Sequence, residues 1–360
     1  MRVLIAPDKF AGTLTAVEAA EAIAAGWRRQ APHDELDLAP MADGGPGFVD
    51  VLHAALGGEL AAVTVTGPHG APVPAVVLRV GDTAYVESAQ AAGLHLVDGD
   101  PETASSRGVG ELVLAAVAGG ATTVVVGLGG TGTNDGGAGV LAAWGATSDG
   151  VLDGGATALG SVTHVDPAPA RERLAGVTLV AASDVDNPLT GLFGATKTFG
   201  PQKGIEEERI AEVDGWLEAF ATATDRRTSL EKGAGAAGGI GYALLVVGAS
   251  RRAGIGLVTD AVSLAERASK ADLVVTGEGA FDFSSRAGKV PYGVAGIASE
   301  ALRPCIALAG QVLVGSREMR ALGIESAYSL VDLVGEDRAF AAPAEALSEL
   351  AERVARTWSR

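Results

Sequence analysis

The sequence predicts an α/β protein of two domains, and three observations carry that prediction. First, short apolar runs recur and stop abruptly at Asp, Glu or Gly. They are Val3-Leu4-Ile5-Ala6 before Pro7-Asp8, Val124-Val125-Val126 before Gly127, and Leu179-Val180-Ala181-Ala182 before Ser183-Asp184. Leu273-Val274-Val275 before Thr276-Gly277-Glu278 and Ile306-Ala307-Leu308-Ala309 before Gly310 complete the set. Continuous runs of this kind are the pattern of strands buried on both faces of a parallel sheet. Second, helical segments alternate with these runs. Third, residues 59–97 instead carry strand-like pieces joined by short turns, which marks a second architecture. A length of 360 residues also exceeds what one core commonly supports.

After the first strand, Thr15 and Glu18 have capping-box spacing, and Val17, Ala20, Ile23, Ala24 and Trp27 share a helical face. Leu36–Leu38 reads as a strand, Met41-Ala42-Asp43-Gly44-Gly45 as a turn, and Pro46 as the first turn of a helix. Strand-like pieces follow at residues 62–66, 74–78 and 83–86. A helix near 107–118, a strand at 122–128 and a helix from about Asp135 come next. Residues 148–176 read as loop or hairpin, and 206–223 and 236–249 as helical. From Ala271 the β-α-β-α-β pattern resumes and ends in a helix with Leu347, Leu350, Val354 and Trp358 on one stripe. Residues 1–60 with 255–360 are therefore expected to form one discontinuous α/β domain, and 61–254 an inserted α/β domain with hairpins.

Lys+Arg 27 against Asp+Glu 44 gives a net charge of −17. That field repels nucleic acid and anionic membranes, so an anionic ligand must be held by local donors. The single Cys305 excludes an intrachain disulfide and a multi-cysteine zinc site, and its apolar setting predicts an inert thiol. The sequence opens without the layout of a signal peptide, and no apolar run reaches the roughly 20 residues of a membrane span. A cytoplasmic protein is expected. His33, His53, His69, His95 and His164 show neither metal nor triad spacing.

Carboxylates gather where the apolar runs end, beside glycines that bare backbone N–H groups. This chemistry suits a metal and phosphates, hence phosphoryl transfer. The stretch Gly127–Gly139 follows a strand and precedes a helix, the setting in which glycine lets backbone approach phosphate. Gly129, Gly130, Gly132, Gly136 and Gly137 are its candidate phosphate cradle, with Thr131, Asn134 and Asp135 as polar contacts. Its match to a dinucleotide fingerprint is weak, which leaves a nicotinamide dehydrogenase as a poor rival. Glu278 and Asp282 are the candidate magnesium ligands, since Mg²⁺ takes few carboxylates plus phosphate oxygens. Lys289 is a candidate phosphate contact. Asp184-Val185-Asp186-Asn187-Pro188 ends another run, with Lys203 downstream, and Asp8-Lys9 and Asp43-Gly44-Gly45 end two more. Asp8, Asp43, Asp184 and Asp186 are alternative proton acceptors, and Lys203, Lys9 and Arg107 are the candidate cations.

In order along the chain, Ala6-Pro7-Asp8-Lys9-Phe10, Met41-Ala42-Asp43-Gly44-Gly45, Val65-Thr66-Gly67-Pro68 and Ser106-Arg107-Gly108-Val109-Gly110-Glu111-Leu112 resemble motifs of the bacterial glycerate kinase family. Thr133-Asn134-Asp135-Gly136-Gly137-Ala138-Gly139, Asp184-Val185-Asp186-Asn187-Pro188-Leu189, Phe199-Gly200-Pro201-Gln202-Lys203-Gly204, Gly233–Gly239 and Thr276-Gly277-Glu278-Gly279 continue the series. The resemblance implies ATP- and Mg²⁺-dependent phosphorylation of D-glycerate, with 2-phosphoglycerate as the usual product. It also implies two α/β domains, one flavodoxin-like with a parallel sheet and the other mixed, and an active site in the cleft between them. Ala11 replaces a usual Lys, Pro46 replaces a common acid, and Ser284 stands where Gln is frequent. These departures raise a kinase of another small hydroxy or sugar acid as an alternative, and a non-catalytic ligand sensor as a second. Glycerate and ATP are the expected partners, with no nucleic acid and no membrane. Oligomeric state stays open, a homodimer included.

Overall fold

The computed structural model describes residues 1–282 and 290–359. Among them the strands are β1 (Arg2–Pro7), β2 (Glu35–Leu38), β3 (Glu59–Thr66), β4 (Pro72–Val80), β5 (Thr83–Glu87), β6 (Thr123–Gly127) and β7 (Thr147–Ser148). They continue with β8 (Val165–Asp166), β9 (Thr178–Ala182), β10 (Ser250–Arg252), β11 (Leu273–Phe281), β12 (Cys305–Val312) and β13 (Ser326–Ser329). The chain folds into two compact units. Unit 1 comprises Met1–Asp43, Asp50–Leu56 and Ile255–Arg360; unit 2 comprises Gly44–Val49 and Gly57–Gly254.

Unit 1 is built on a five-stranded sheet in the order β13-β12-β11-β1-β2, parallel at every pairing. Counted within the unit, that order is 2-1-3-4-5, the flavodoxin-like arrangement, whose topological switch point lies between its first and third strands. Here those strands are β1 and β11. Val3, Leu4, Ile5 and Ala6 are fully buried, which is why their run lacks alternation. The capping box of Thr15 and Glu18 opens the helix Ala16–Gln30. Its Gly26 lies so close to the C-terminal helix Pro343–Trp358 that a Cβ there would sit 1.8 Å from the Ser348 carbonyl oxygen. Cys305 is buried, and burial pushes its thiol up to about 12.

Two expectations change, one in this unit and one in the Gly44–Val49 segment of unit 2. The strand expected to stop with the apolar run before Thr276-Gly277-Glu278 continues to Phe281, because β11 stays in register with β12 through Ala280–Gln311 and Phe281–Val312. Pro46 precedes its helix instead of opening it: Gly44 and Gly47 have φ of +95° and +94°, so the chain turns twice before the helix Phe48–Leu56.

Unit 2 carries a mixed sheet in the order β10-β9-β6-β5-β4-β3. The first four strands are parallel, and β4 and β3 add antiparallel hairpins. Val86, Leu112, Val126, Trp144, Phe220 and Tyr242 are central to its core. The region expected as loop or hairpin carries the short antiparallel pair β7–β8, fastened by Asp149, which accepts from the Thr163 and His164 amides. The helix expected from Asp135 begins at Ala138, since Gly136 and Gly137 are left-handed. The segment expected as helix at 236–249 is α-helical only at Ile240–Val246, for Ala237, Gly238 and Gly239 all have positive φ.

Candidate functional site

In unit 2 the segment that follows β6 is built as a rigid turn. Leu128 N–H donates to the Ala182 carbonyl at the end of β9, and Gly132 N–H to the Ala92 carbonyl. Leu94 N–H in turn donates to the Gly130 carbonyl, so residues 92–94 brace the turn like an edge strand. Gly137 has φ +73°, and a Cβ there would lie 2.4 Å from the Gly239 carbonyl oxygen, so this closure requires glycine.

Asp135 is the centre of the brace. Fully buried, its carboxylate accepts from Ser106 N–H and Ser106 Oγ–H, both at 2.8 Å, from Gly137 N–H at 3.0 Å and from Gly139 N–H at 3.2 Å. Burial raises its pKa, and these donors oppose the shift. Its two oxygens thus tie the start of the helix Arg107–Ala118 to the start of the helix Ala138–Ala143. The sequence reading assigned Asp135 a contact to phosphate, metal or acceptor. The structure gives those oxygens to the Ser106 hydroxyl and to the amides of Ser106, Gly137 and Gly139.

Lys203 enters from the other side. It is 6% exposed, and its Nζ donates to the Thr133 carbonyl at 2.7 Å and lies 3.5 Å from Thr131 Oγ1. Burial lowers it to about 8, while the charge of Asp135 pulls the other way. Asn134 is buried and donates through Nδ2 to Thr196 Oγ1. Its Oδ1, with Thr133 Oγ1, is buried without a hydrogen-bond partner. The N–H groups of Gly129, Gly130 and Thr131 also take no partner among the described residues. Three successive unengaged amides beside an ammonium are the donor set that an anion requires. They line a cavity of about 350 Å³ with apolar walls from Leu94, Leu128, Val185 and Phe199.

The remaining candidates of unit 2 divide. Asp184 lies at the carboxyl end of β9, partly buried, next to Val185 of the cavity wall. Asp186 is exposed and salt-bridged to Lys232 at 2.9 Å and Arg251 at 2.6 Å, which together lower its pKa. Arg107 is paired with Glu111 at 3.0 Å and Asp153 at 2.8 Å. Glu87 escaped the sequence reading. It ends β5, is 5% exposed and accepts from Gly47 N–H at 2.9 Å. Its signal was present, since Ala84-Tyr85-Val86 before Glu87 repeats the pattern of an apolar run ending in an acid.

In unit 1, Asp8 and Glu278 lie at the switch point. Pro7 pairs with Gly277 in the β1–β11 register, and Asp8 N–H donates to the Gly277 carbonyl at 2.8 Å. Asp8 is 6% and Glu278 5% exposed. Lys9 Nζ lies 3.8 Å from the Asp8 carboxylate. Asp43 ends the first segment of the unit. Asp282 is four residues beyond Glu278 along extended backbone, roughly 13 Å away, so the acid beside Glu278 is Asp8. Among the described residues no three His, Cys, Asp or Glu side chains gather to hold a metal. Two buried carboxylates side by side, Asp8 just past β1 and Glu278 within β11, nevertheless fit Mg²⁺, which keeps most of its shell for water and phosphate. Lys289 lies outside the described residues.

The model of the glycerate kinase family matches residues 3–359. The chain belongs to the glycerate kinase family. This kinase is 38% identical to the glycerate 2-kinase of Escherichia coli (strain K12), over 99% of this chain and 98% of that one. It is 40% identical to the glycerate kinase of Bacillus subtilis (strain 168), over 99% and 97%. A crystal structure assigned to glycerate kinase 2 from Salmonella typhimurium LT2 superposes with a TM-score of 0.80 at 37% identity, covering 99% of this chain and 98% of that one. The kinase shares that protein's two-domain α/β fold. Among the described residues, no helix is long and apolar enough to cross a membrane.

Proposed function

We propose that this kinase transfers the γ-phosphoryl group of ATP to D-glycerate in a magnesium-dependent reaction that yields 2-phosphoglycerate. The observation that carries the reading is the turn after β6, whose open amides at Gly129, Gly130 and Thr131 stand beside the buried Lys203. Such donors hold phosphate oxygens without reorganisation, and phosphoryl transfer depends on positioning and electrostatics above all. The name of the E. coli relative, glycerate 2-kinase, supports the 2-phosphoglycerate product.

Within this reading Asp135 is a positioning residue that fixes the turn, and Lys203 and the amides grip the phosphates. Asp184, partly buried beside the cavity wall, accepts the proton of the attacking hydroxyl. Asp8 and Glu278 would hold magnesium, with Lys9 balancing their charge. The ion supplies neutralisation of the phosphoryl charge when bound. Lys9 and Arg107 remain candidates for the substrate carboxylate.

A phosphorus NMR spectrum of the product from D-glycerate and Mg-ATP tests the proposal. A 2-phosphoglycerate resonance is expected; 3-phosphoglycerate refutes the regiochemistry, and no phosphorylated product refutes the reaction. One observation favours a different acceptor. Pro46 packs on Gly130, where a Cβ would lie 2.6 Å from the ring, so the position that lost its acid borders the phosphate turn. Turnover of another hydroxy acid exceeding that of glycerate in a panel with ATP supports this second reading.

A further inference from the structure

We infer that the cavity of unit 2 seats the purine base of the phosphoryl donor, with Phe199 and Val185 as its flat apolar walls and Gln202 at the base edge. The inference rests on the proposed ATP-dependent reaction and assigns which substrate fills this cavity.

The argument begins with the match between volume and lining. A space of about 350 Å³ lies in the range of nucleoside-sized ligands, and a three-carbon hydroxy acid fills only a small part of it. Leu94, Leu128, Val185, Phe199 and Ala237 turn apolar surface inward. Every carbon of glycerate carries an oxygen, so those walls have nothing to bury if the acceptor sits there. A heteroaromatic ring has two apolar faces and a polar rim, which suits aliphatic and aromatic walls with one amide, Gln202, at their edge.

Continuity is the second element. Gly129, Gly130 and Thr131 line the same cavity and carry the unengaged amides. A nucleotide whose base rests on Phe199 can therefore extend its phosphates directly into the cradle. Charge is the third. At a net charge of −17 the protein repels a polyphosphate over long range, so nucleotide affinity must come from local amides and from burying the base. Leu94 is 46% exposed and Phe199 partly exposed, and a base would cover both. Ala237, with φ +53°, holds a left-handed conformation unusual for a residue with a Cβ, and its side is part of the lining.

The test uses the full chain and reads nucleotide and acid separately. Base–aromatic contacts of this type shift affinity by roughly tenfold or more on removal. Phe199→Ala is expected to raise KM and the equilibrium dissociation constant for ATP about tenfold and to leave KM for glycerate unchanged. Phe199→Tyr should restore both. Gln202→Ala is expected to narrow the discrimination between ATP and GTP, and adenosine alone should compete with ATP in the wild type but not in Phe199→Ala. If Phe199→Ala fails to fold, Val185→Ala takes its place in the same assays. A raised KM for glycerate with nucleotide binding untouched would assign the cavity to the acceptor and overturn the inference. So would unchanged ATP affinity in every variant. Wild-type turnover of glycerate with Mg-ATP in either case leaves the proposed reaction standing, so the two failures are separable.

Discussion

At the carboxyl ends of its parallel strands, unit 1 presents carboxylates, Asp8 after β1 and Glu278 within β11, both nearly buried. Unit 2 adds donors to the acids at its strand ends: open amides after β6 and, from the turn Pro201–Lys203, the buried ammonium of Lys203, with Asp184 just past β9. The acid that ends β5, Glu87, is engaged by Gly47 N–H. Transfer of a phosphoryl group needs oxygen ligands for a cation and donors for an anion. A single turn in a P-loop enzyme supplies both. In the proposed reaction, unit 1 would supply the carboxylates and unit 2 the donors. The lesson is that a parallel sheet does not dictate the sign of charge at its rim. The residues just past each strand do.

The comparison breaks most severely at Asp135. Asp135→Ala would leave four buried donors without an acceptor, at a cost of roughly 3–5 kcal/mol, and a urea midpoint measurement should show it. Asp135→Asn, which keeps one acceptor, should lose about half as much. If Asp135→Ala unfolds with the wild type, the turn is not braced in the way described. Unit 1 offers the matching control. Gly26→Ala forces a Cβ against the Ser348 carbonyl and should cost about 2–3 kcal/mol, with KM for both substrates unchanged.

Smaller effects probe the two rims themselves. Lys203→Met removes a charged donor and should raise KM for ATP roughly 10- to 100-fold. The sign of its pH dependence follows from burial, which brings Lys203 down to about 8. Below that pH the ammonium is present, and as pH rises past it the charge is lost. Affinity for ATP should therefore fall above pH 8 in the wild type and stay flat in Lys203→Met. Glu278→Gln should raise the magnesium concentration for half-maximal activity about tenfold, equal to about 1.4 kcal/mol. Unaltered magnesium dependence would remove Glu278 from the cation site.

Much of this architecture was legible because it is local. The apolar runs fix the strands, and the glycines after Val126 mark the turn. What was hidden depends on partners far away in the chain. Asp184 and Asp186 are two residues apart and look alike in sequence, but only the second meets Lys232 and Arg251. Asp135 has the composition of a ligand and the surroundings of a brace, and Ser106 decides which. The 2-1-3-4-5 order places Asp8 beside Glu278, a pairing that no spacing reveals. Helix starts moved for a different reason. Consecutive left-handed residues at 136–137 and 237–239 interrupt segments whose apolar periodicity continues through them.

The smallest effect concerns the one cap read correctly from spacing alone. Thr15 Oγ accepts from Glu18 N–H at 3.2 Å, and the Glu18 carboxylate accepts from Thr15 N–H at 2.9 Å and Oγ–H at 2.8 Å. These bonds to Thr15, backbone first, hold the Glu18 pKa below its ordinary value. Thr15→Ala should cost about 1 kcal/mol at neutral pH, with kinase activity intact. A carboxylate with a depressed pKa contributes stability while ionised and loses it as pH falls through its folded value. The gap between wild type and Thr15→Ala should therefore shrink in acid, below the ordinary glutamate range. A gap that holds constant into acid would mean that the threonine acts through packing and not through the box, and the cap would then teach nothing about how unit 1 starts its first helix.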